Sequence, residues 1–166
     1  RMENYPYLLE NSLVAIARPL SAGHIPSLAD QDREMELDRV LDYFTAFPLE
    51  RARYQQVLAE YRHQGRKIAL LGAGHLACAF VNLLGLQEYI ECILDDDPNR
   101  QGLFMPGSRL PIKPSTTLQD QKIRLCLLSL NPMNEDRVMA RQQGFVERGG
   151  EFKSIFPASR YTIRRS

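Results

Sequence analysis

From Ile68 onward, short runs of consecutive apolar residues alternate with longer segments of helical spacing. Ile68 to Leu71, Ile90 to Leu94 and Ile123 to Leu128 are apolar or nearly so, the pattern of strands buried on both faces. Leu76 to Leu84 is almost wholly apolar and long enough for a helix. With the strands on either side it makes a βαβ unit, whose strands run parallel. A Pro/Gly-rich stretch from Pro98 to Pro114 follows, then a short helix near Ser115 to Gln121 before the third strand. Asn131 and Pro132 suit the N-cap and first position of a helix with Glu135 and Asp136 in its first turn, which stops by Gly144. A last strand is expected at Phe152 to Phe156, ahead of the basic tail "RYTIRRS". The pattern predicts an α/β fold with a parallel sheet.

Upstream the period differs. Leu37, Val40, Leu41 and Phe44 recur at helical spacing, Pro48 interrupts, and Tyr54, Val57, Leu58 and Tyr61 resume the stripe until Gly65. Two helices meeting at Pro48 are expected, their apolar stripe facing the core. Residues 1–34 hold scattered prolines (Pro6, Pro19, Pro26) and one apolar run, Ser12 to Ala17, without a sustained period. The expected organisation is an extended lead-in over 1–35, a helical extension over 36–64 packing on the core, and the α/β domain over 65–166.

Charge narrows the partners. Lys and Arg number 21 and Asp and Glu 20, a net charge of +1, so no global field draws the chain to nucleic acid or an anionic membrane. Neither is expected as a partner. No apolar run approaches the ~20 residues that span a bilayer, and no signal-peptide pattern opens the chain. Cys78, Cys92 and Cys126 lie in apolar segments without metal-ligand spacing, as reduced thiols of a cytoplasmic protein do. Arg1 ahead of Met2 is the start expected of a segment cut from a longer polypeptide.

The candidate chemistry gathers at strand ends. Gly72-Ala73-Gly74-His75-Leu76-Ala77 satisfies G-x-G-x-x-G/A between a strand and a helix. Asp95 ends the second strand about 20 residues on, where a carboxylate can take ribose hydroxyls. That context makes the domain Rossmann-like, with three layers and the helical extension before it. A tight crossover needs Gly72 and Gly74 with or without a ligand, so nucleotide site and bare scaffold both stay open. Asp95 is expected to be an exposed carboxylate that contributes little to the core. Successive side chains of an extended chain point to opposite faces, so Asp95, Asp96 and Asp97 do not converge on a metal ion. His75 opens the helix, placed to donate to a ligand or simply to pack. The ligand-binding candidates are Gly72, Gly74 and His75 after the first strand, Asp95 and Asp96 after the second, and Ser129 and Asn131 after the third. Arg100 and Arg109 are candidates to reach a diphosphate from the intervening loop. No residue has the setting of a catalytic nucleophile or of a metal ligand.

The stretch "DDDPNRQGLFMPGSRLPI", Asp95 to Ile112, resembles the C-terminal domain of the SAM-dependent sugar C-methyltransferases. So do "GAGHLACAFVNLLGL" with Asn82, "LLSLNPMNEDRV" and "GGEFKSIFP". The similarity runs from about Asp42 to Pro157. Where the family usually has a Lys-Gly pair in the glycine turn this chain has Leu76 and Ala77, and Leu130 replaces a Trp. The resemblance implies a domain that closes over a nucleotide-linked deoxysugar, pyrimidine diphosphate-linked sugars included. SAM would be held by another domain, in cis or in trans, and this segment would hold no cofactor and be inactive alone. "GAGHLACAF" followed by "ILDDDP" also resembles the nucleotide-sugar-binding N-terminal domains of sugar O-acyltransferases and epimerase-dehydratases, which form an alternative. A non-catalytic interaction module is another.

Overall fold

The structure, a computed structural model, describes residues 2–6, 11–16, 30–120 and 122–163. Its elements are β1 (Met2–Pro6), β2 (Asn11–Ala15), α1 (Asp30–His63), β3 (Lys67–Leu71), α2 (His75–Leu84), β4 (Ile90–Leu94) and β5 (Ile112–Lys113). A 3₁₀ turn (Ser115–Gln119), β6 (Ile123–Leu128), α3 (Pro132–Ala140), α4 (Gln143–Glu147) and β7 (Glu151–Ser154) complete them. The chain divides into two units, Arg1–Leu49 and Glu50–Ser166.

In the first unit β1 and β2 pair antiparallel, Met2 opposite Ala15. This pairing was hidden in a lead-in with no sustained period. Pro19, Pro26, His24 and the last three residues of the basic tail lie outside the described residues. Pro48 does not separate two helices, because α1 runs through it. A mid-helix proline removes one backbone bond at a cost of ~3 kcal/mol. One turn earlier the Thr45 hydroxyl donates to the Leu41 carbonyl, 2.9 Å away. The expected core-facing stripe also divides. Leu37, Val40, Leu41 and Phe44 are exposed, whereas Tyr54 and Leu58 are buried. A helical stripe reveals a face that favours burial and not the partner that would cover it.

The second unit is a five-stranded, all-parallel sheet in the order β5-β4-β3-β6-β7, a Rossmann-like α/β fold. Central β3 buries Ile68, Ala69, Leu70 and Leu71, which explains its unbroken apolar run. Ala69, Leu71, Leu94, Cys126 and Leu128 share a core cluster with Leu118 of the 3₁₀ turn and Phe145 of α4, and Val138 and Met139 of α3 pack against it. Alternate strand residues turn to the opposite face. There α2 is buried through Ala77, Val81 and Leu84, and the Tyr54 ring meets Phe80 edge-on at 5.1 Å. Beyond β7 the chain returns, and Thr162 bridges Ser154 in parallel.

No helix among the described residues is long and apolar enough to cross a membrane. Three details were missed in the sequence: the two-residue β5 inside the Pro/Gly stretch, the short α4 after α3, and an N-terminus for α1 six residues before Glu36.

Candidate functional site

The strand-end candidates lie on the three loops that leave the neighbouring strands β3, β4 and β6. Gly72 follows β3 at φ 106°, and its N–H donates to the Leu94 carbonyl at 2.8 Å. A Cβ there would come within 2.9 Å of the Ser129 carbonyl oxygen and 3.1 Å of Leu130, so the fold itself demands this glycine. Gly74 is different. It is the N-cap of α2 at φ −87°, open to other residues, and a Cβ would meet nothing within 4 Å. His75 begins α2 and is exposed.

Asp95 is not the bare carboxylate the sequence suggested. One oxygen accepts the Ala73 N–H at 2.9 Å and the Arg100 guanidinium at 3.0 Å, and the other accepts the Asp97 N–H at 2.9 Å. Its side chain is 15% exposed and Arg100 is 47% exposed, so the carboxylate is a staple and the guanidinium faces solvent. Burial alone would raise its pKa. The N–H groups of Asp97 and Ala73, together with Arg100, outweigh that and hold the carboxyl below its ordinary value. Asp96 turns elsewhere and accepts the Ser115 N–H at 2.8 Å and the Ser115 hydroxyl at 2.9 Å. Asp97 accepts from Asn99. The acidic triplet is thus divided among three sets of local donors.

After β6, the Ser129 N–H continues the ladder to Leu71, and its hydroxyl is buried without a hydrogen-bond partner among the described residues. Asn131 caps α3 by accepting the Met133 N–H at 3.0 Å, as its position before Pro132 suggested. Arg109 lies apart. It adopts φ 57° in the turn that closes the Phe104–Pro111 bridge, and it does not line the cleft described next. That turn is held to α2 by Asn82, whose amide donates to the Pro106 carbonyl at 2.9 Å.

An open cleft of about 150 Å³ lies at these strand ends. Leu71, Leu94, Leu130 and Val138 give it apolar walls, and Gly72, Asp95, Asp96, Ser115, Arg141 and Gln142 give it polar ones. Such a mixture in one concavity is the usual form of a small-molecule site. The sequence reading missed Ser115, Val138, Arg141 and Gln142. A signal existed, since Val138, Arg141 and Gln142 are spaced i, i+3, i+4 behind an N-cap at the third strand's end. No cysteine takes part. Burial pushes the Cys92 thiol up to about 11 and the Cys126 thiol further, so neither is a thiolate nucleophile near neutral pH.

Residues 17–157 match the family model of the C-methyltransferase C-terminal domain. No curated protein sequence matches the chain significantly. Among solved structures, RSP, a Rex-family repressor, is similar over 55% of this chain and 46% of its own, at 21% identity and a TM-score of 0.44. The match therefore spans less than half of the repressor. UDP-D-quinovosamine 4-dehydrogenase from Vibrio fischeri is similar over 55% of this chain and 78% of its own, at 18% identity and a TM-score of 0.43.

Proposed function

Because the chain belongs to the C-methyltransferase C-terminal domain family, we propose that its strand-end cleft is one wall of a composite site. It receives the nucleotide part of a nucleotide-linked deoxysugar, while a SAM-holding domain, in cis or in trans, delivers the methyl group to a sugar carbon. The observation that carries this reading is the grouping of the glycine turn, Asp95 and Arg100 beside the cleft. A carboxylate has about four acceptor positions. Three on Asp95 are taken by Ala73, Asp97 and Arg100, which leaves one for a ribose hydroxyl. The α2 N-terminus and the half-exposed Arg100 supply positive potential for a diphosphate. Open space over Gly74 lets that anion approach the backbone.

In this reading SAM is held elsewhere, because a site built to take a diphosphate is matched to an anion and not to a sulfonium. The donor's electrophilic methyl group therefore belongs to the other domain, and this segment positions the acceptor. Both partners are cytoplasmic metabolites in this reading, which suits three free cysteines.

NMR shift mapping of the full chain with UDP, and separately with SAM, tests the assignment. UDP should bind with a dissociation constant on the order of 0.1–1 mM, about 4–5.5 kcal/mol, because half a site supplies only part of the contacts. Shifts should centre on Gly72, Asp95 and Ser115. An unperturbed spectrum at millimolar UDP removes the nucleotide site, and micromolar SAM binding overturns the division of labour.

A further inference from the structure

The wall of the cleft formed by Asp96, Ser115 and Gln142 carries a hydrogen-bonding pattern that fixes its own polarity. The Asp96 carboxylate only accepts, so the Ser115 hydroxyl must spend its one proton on Asp96, as the 2.9 Å contact shows. Ser115 Oγ is then left as an acceptor. The Gln142 side chain, 3.1 Å away, must present its amide NH₂ to Ser115 and not its carbonyl. This settles the orientation of Gln142, and its Oε1 has no hydrogen-bond partner among the described residues. The neighbouring Arg141, at the C-cap of α3, lines the same cleft, and its guanidinium has no partner among the described residues. One free acceptor therefore stands beside one free donor fork, next to the apolar Leu130 and Val138.

We propose that Arg141 and Gln142 form a specificity-determining pair that reads the lactam edge of a nucleobase, the adjacent N–H and C=O of an oxo-base. Gln142 Oε1 accepts the ring N–H and the Arg141 guanidinium donates to the ring carbonyl, while the ring plane lies against Leu130 and Val138. An amino-base presents the opposite order, a bare ring nitrogen beside an NH₂ group. It would face acceptor with acceptor and donor with donor. The Asp96–Ser115 pair acts at one remove, as a positioning relay that keeps the Gln142 carbonyl turned to the ligand. The proposal rests on the nucleotide reading above and goes further, since that reading is silent on the base.

UDP and CDP separate the two, because they share ring size, ribose and diphosphate and differ in this edge. Calorimetric titration of the full chain should show UDP binding about tenfold or more tightly than CDP, the worth of one matched charged hydrogen bond. In Arg141→Met the UDP:CDP ratio should fall to within about twofold, chiefly by loss of UDP affinity. Ser115→Ala, which frees the Gln142 amide to flip, should reduce the ratio partway with folding confirmed by circular dichroism. Equal binding of UDP and CDP by the unaltered chain overturns the proposal and leaves the nucleotide site standing, as does a ratio that survives Arg141→Met. If neither nucleotide binds a folded chain, both the proposal and the nucleotide reading fall.

Discussion

The Asp95 carboxylate receives the Ala73 backbone N–H at 2.9 Å, so the end of β4 is fastened to the glycine turn that follows β3. Cleft shape and fold stability are therefore coupled in one side chain.

Asp95→Ala should cost about 2 kcal/mol in chemical denaturation, since it orphans the N–H groups of Ala73 and Asp97 and frees Arg100. The acid limb should change with it. The folded-state pKa is lowered, so the stabilisation is fully present above the ordinary carboxylate value, about 3.9, and is lost as pH falls through the depressed value. Below pH ~4 the variant's stability should fall less steeply than the parent's. Parallel acid limbs would contradict the staple.

The two glycines of the turn should separate cleanly. Gly72→Ala meets the Ser129 carbonyl at 2.9 Å in a left-handed backbone, and a loss of at least ~2 kcal/mol, or failure to fold, is expected. Gly74→Ser has room and the backbone of an ordinary N-cap. It should leave stability within ~1 kcal/mol of the parent while weakening UDP binding through its added side chain. Equal melting temperatures for the two variants would refute the distinction.

At the other end of the sheet, Tyr61 donates its hydroxyl to Glu151 at 2.9 Å, tying α1 to β7. Burial first, then Glu151, pushes the phenol up to about 12. A raised pKa stabilises the protonated form, so this contribution is complete below pH ~10 and lost as pH rises through about 12. Tyr61→Phe should cost about 1 kcal/mol at neutral pH and flatten that alkaline decline. Following the phenolate absorbance alongside unfolding would show whether the two coincide.

Asn82 should prove to be a loop anchor. Its amide reaches the Pro106 carbonyl, and a Cβ on Gly107 would come within 2.5 Å of its oxygen. Asn82→Ala should cost about 1 kcal/mol and speed amide exchange across residues 103–110 with little change elsewhere. Uniform protection across that loop would contradict the anchor.

The sequence disclosed what depends on periodicity and on local caps. The apolar runs at β3, β4 and β6 became the buried centre of the sheet, and Asn131-Pro132 started α3, because those signals act over a few residues. What escaped depends on distance in space. Nothing in "DDDP" shows that Asp95 turns to Ala73 and Asp96 to Ser115, 22 and 19 residues away. Arg141 and Gln142, just past the end of α3, carried only a spacing signal, which shows no ligand chemistry until the Ser115 turn makes them a wall. The Leu37–Phe44 stripe misled for the converse reason, since its amphipathicity was taken for burial and these side chains are exposed.

Both margins of the sheet are guarded against strand addition. On one side β5 offers only Ile112 and Lys113, too short a template for another chain to extend. On the other, Ser154 already gives its N–H to Tyr161 at 2.8 Å and takes that of Ile163 at 3.0 Å, so the returning chain occupies the pairing positions next to the sheet's end. Margins guarded in this way disfavour edge-to-edge pairing with another chain and favour contacts made through side chains. Cutting the chain before Tyr161 would leave the Ser154 N–H and carbonyl open and expose that margin to pairing with another strand.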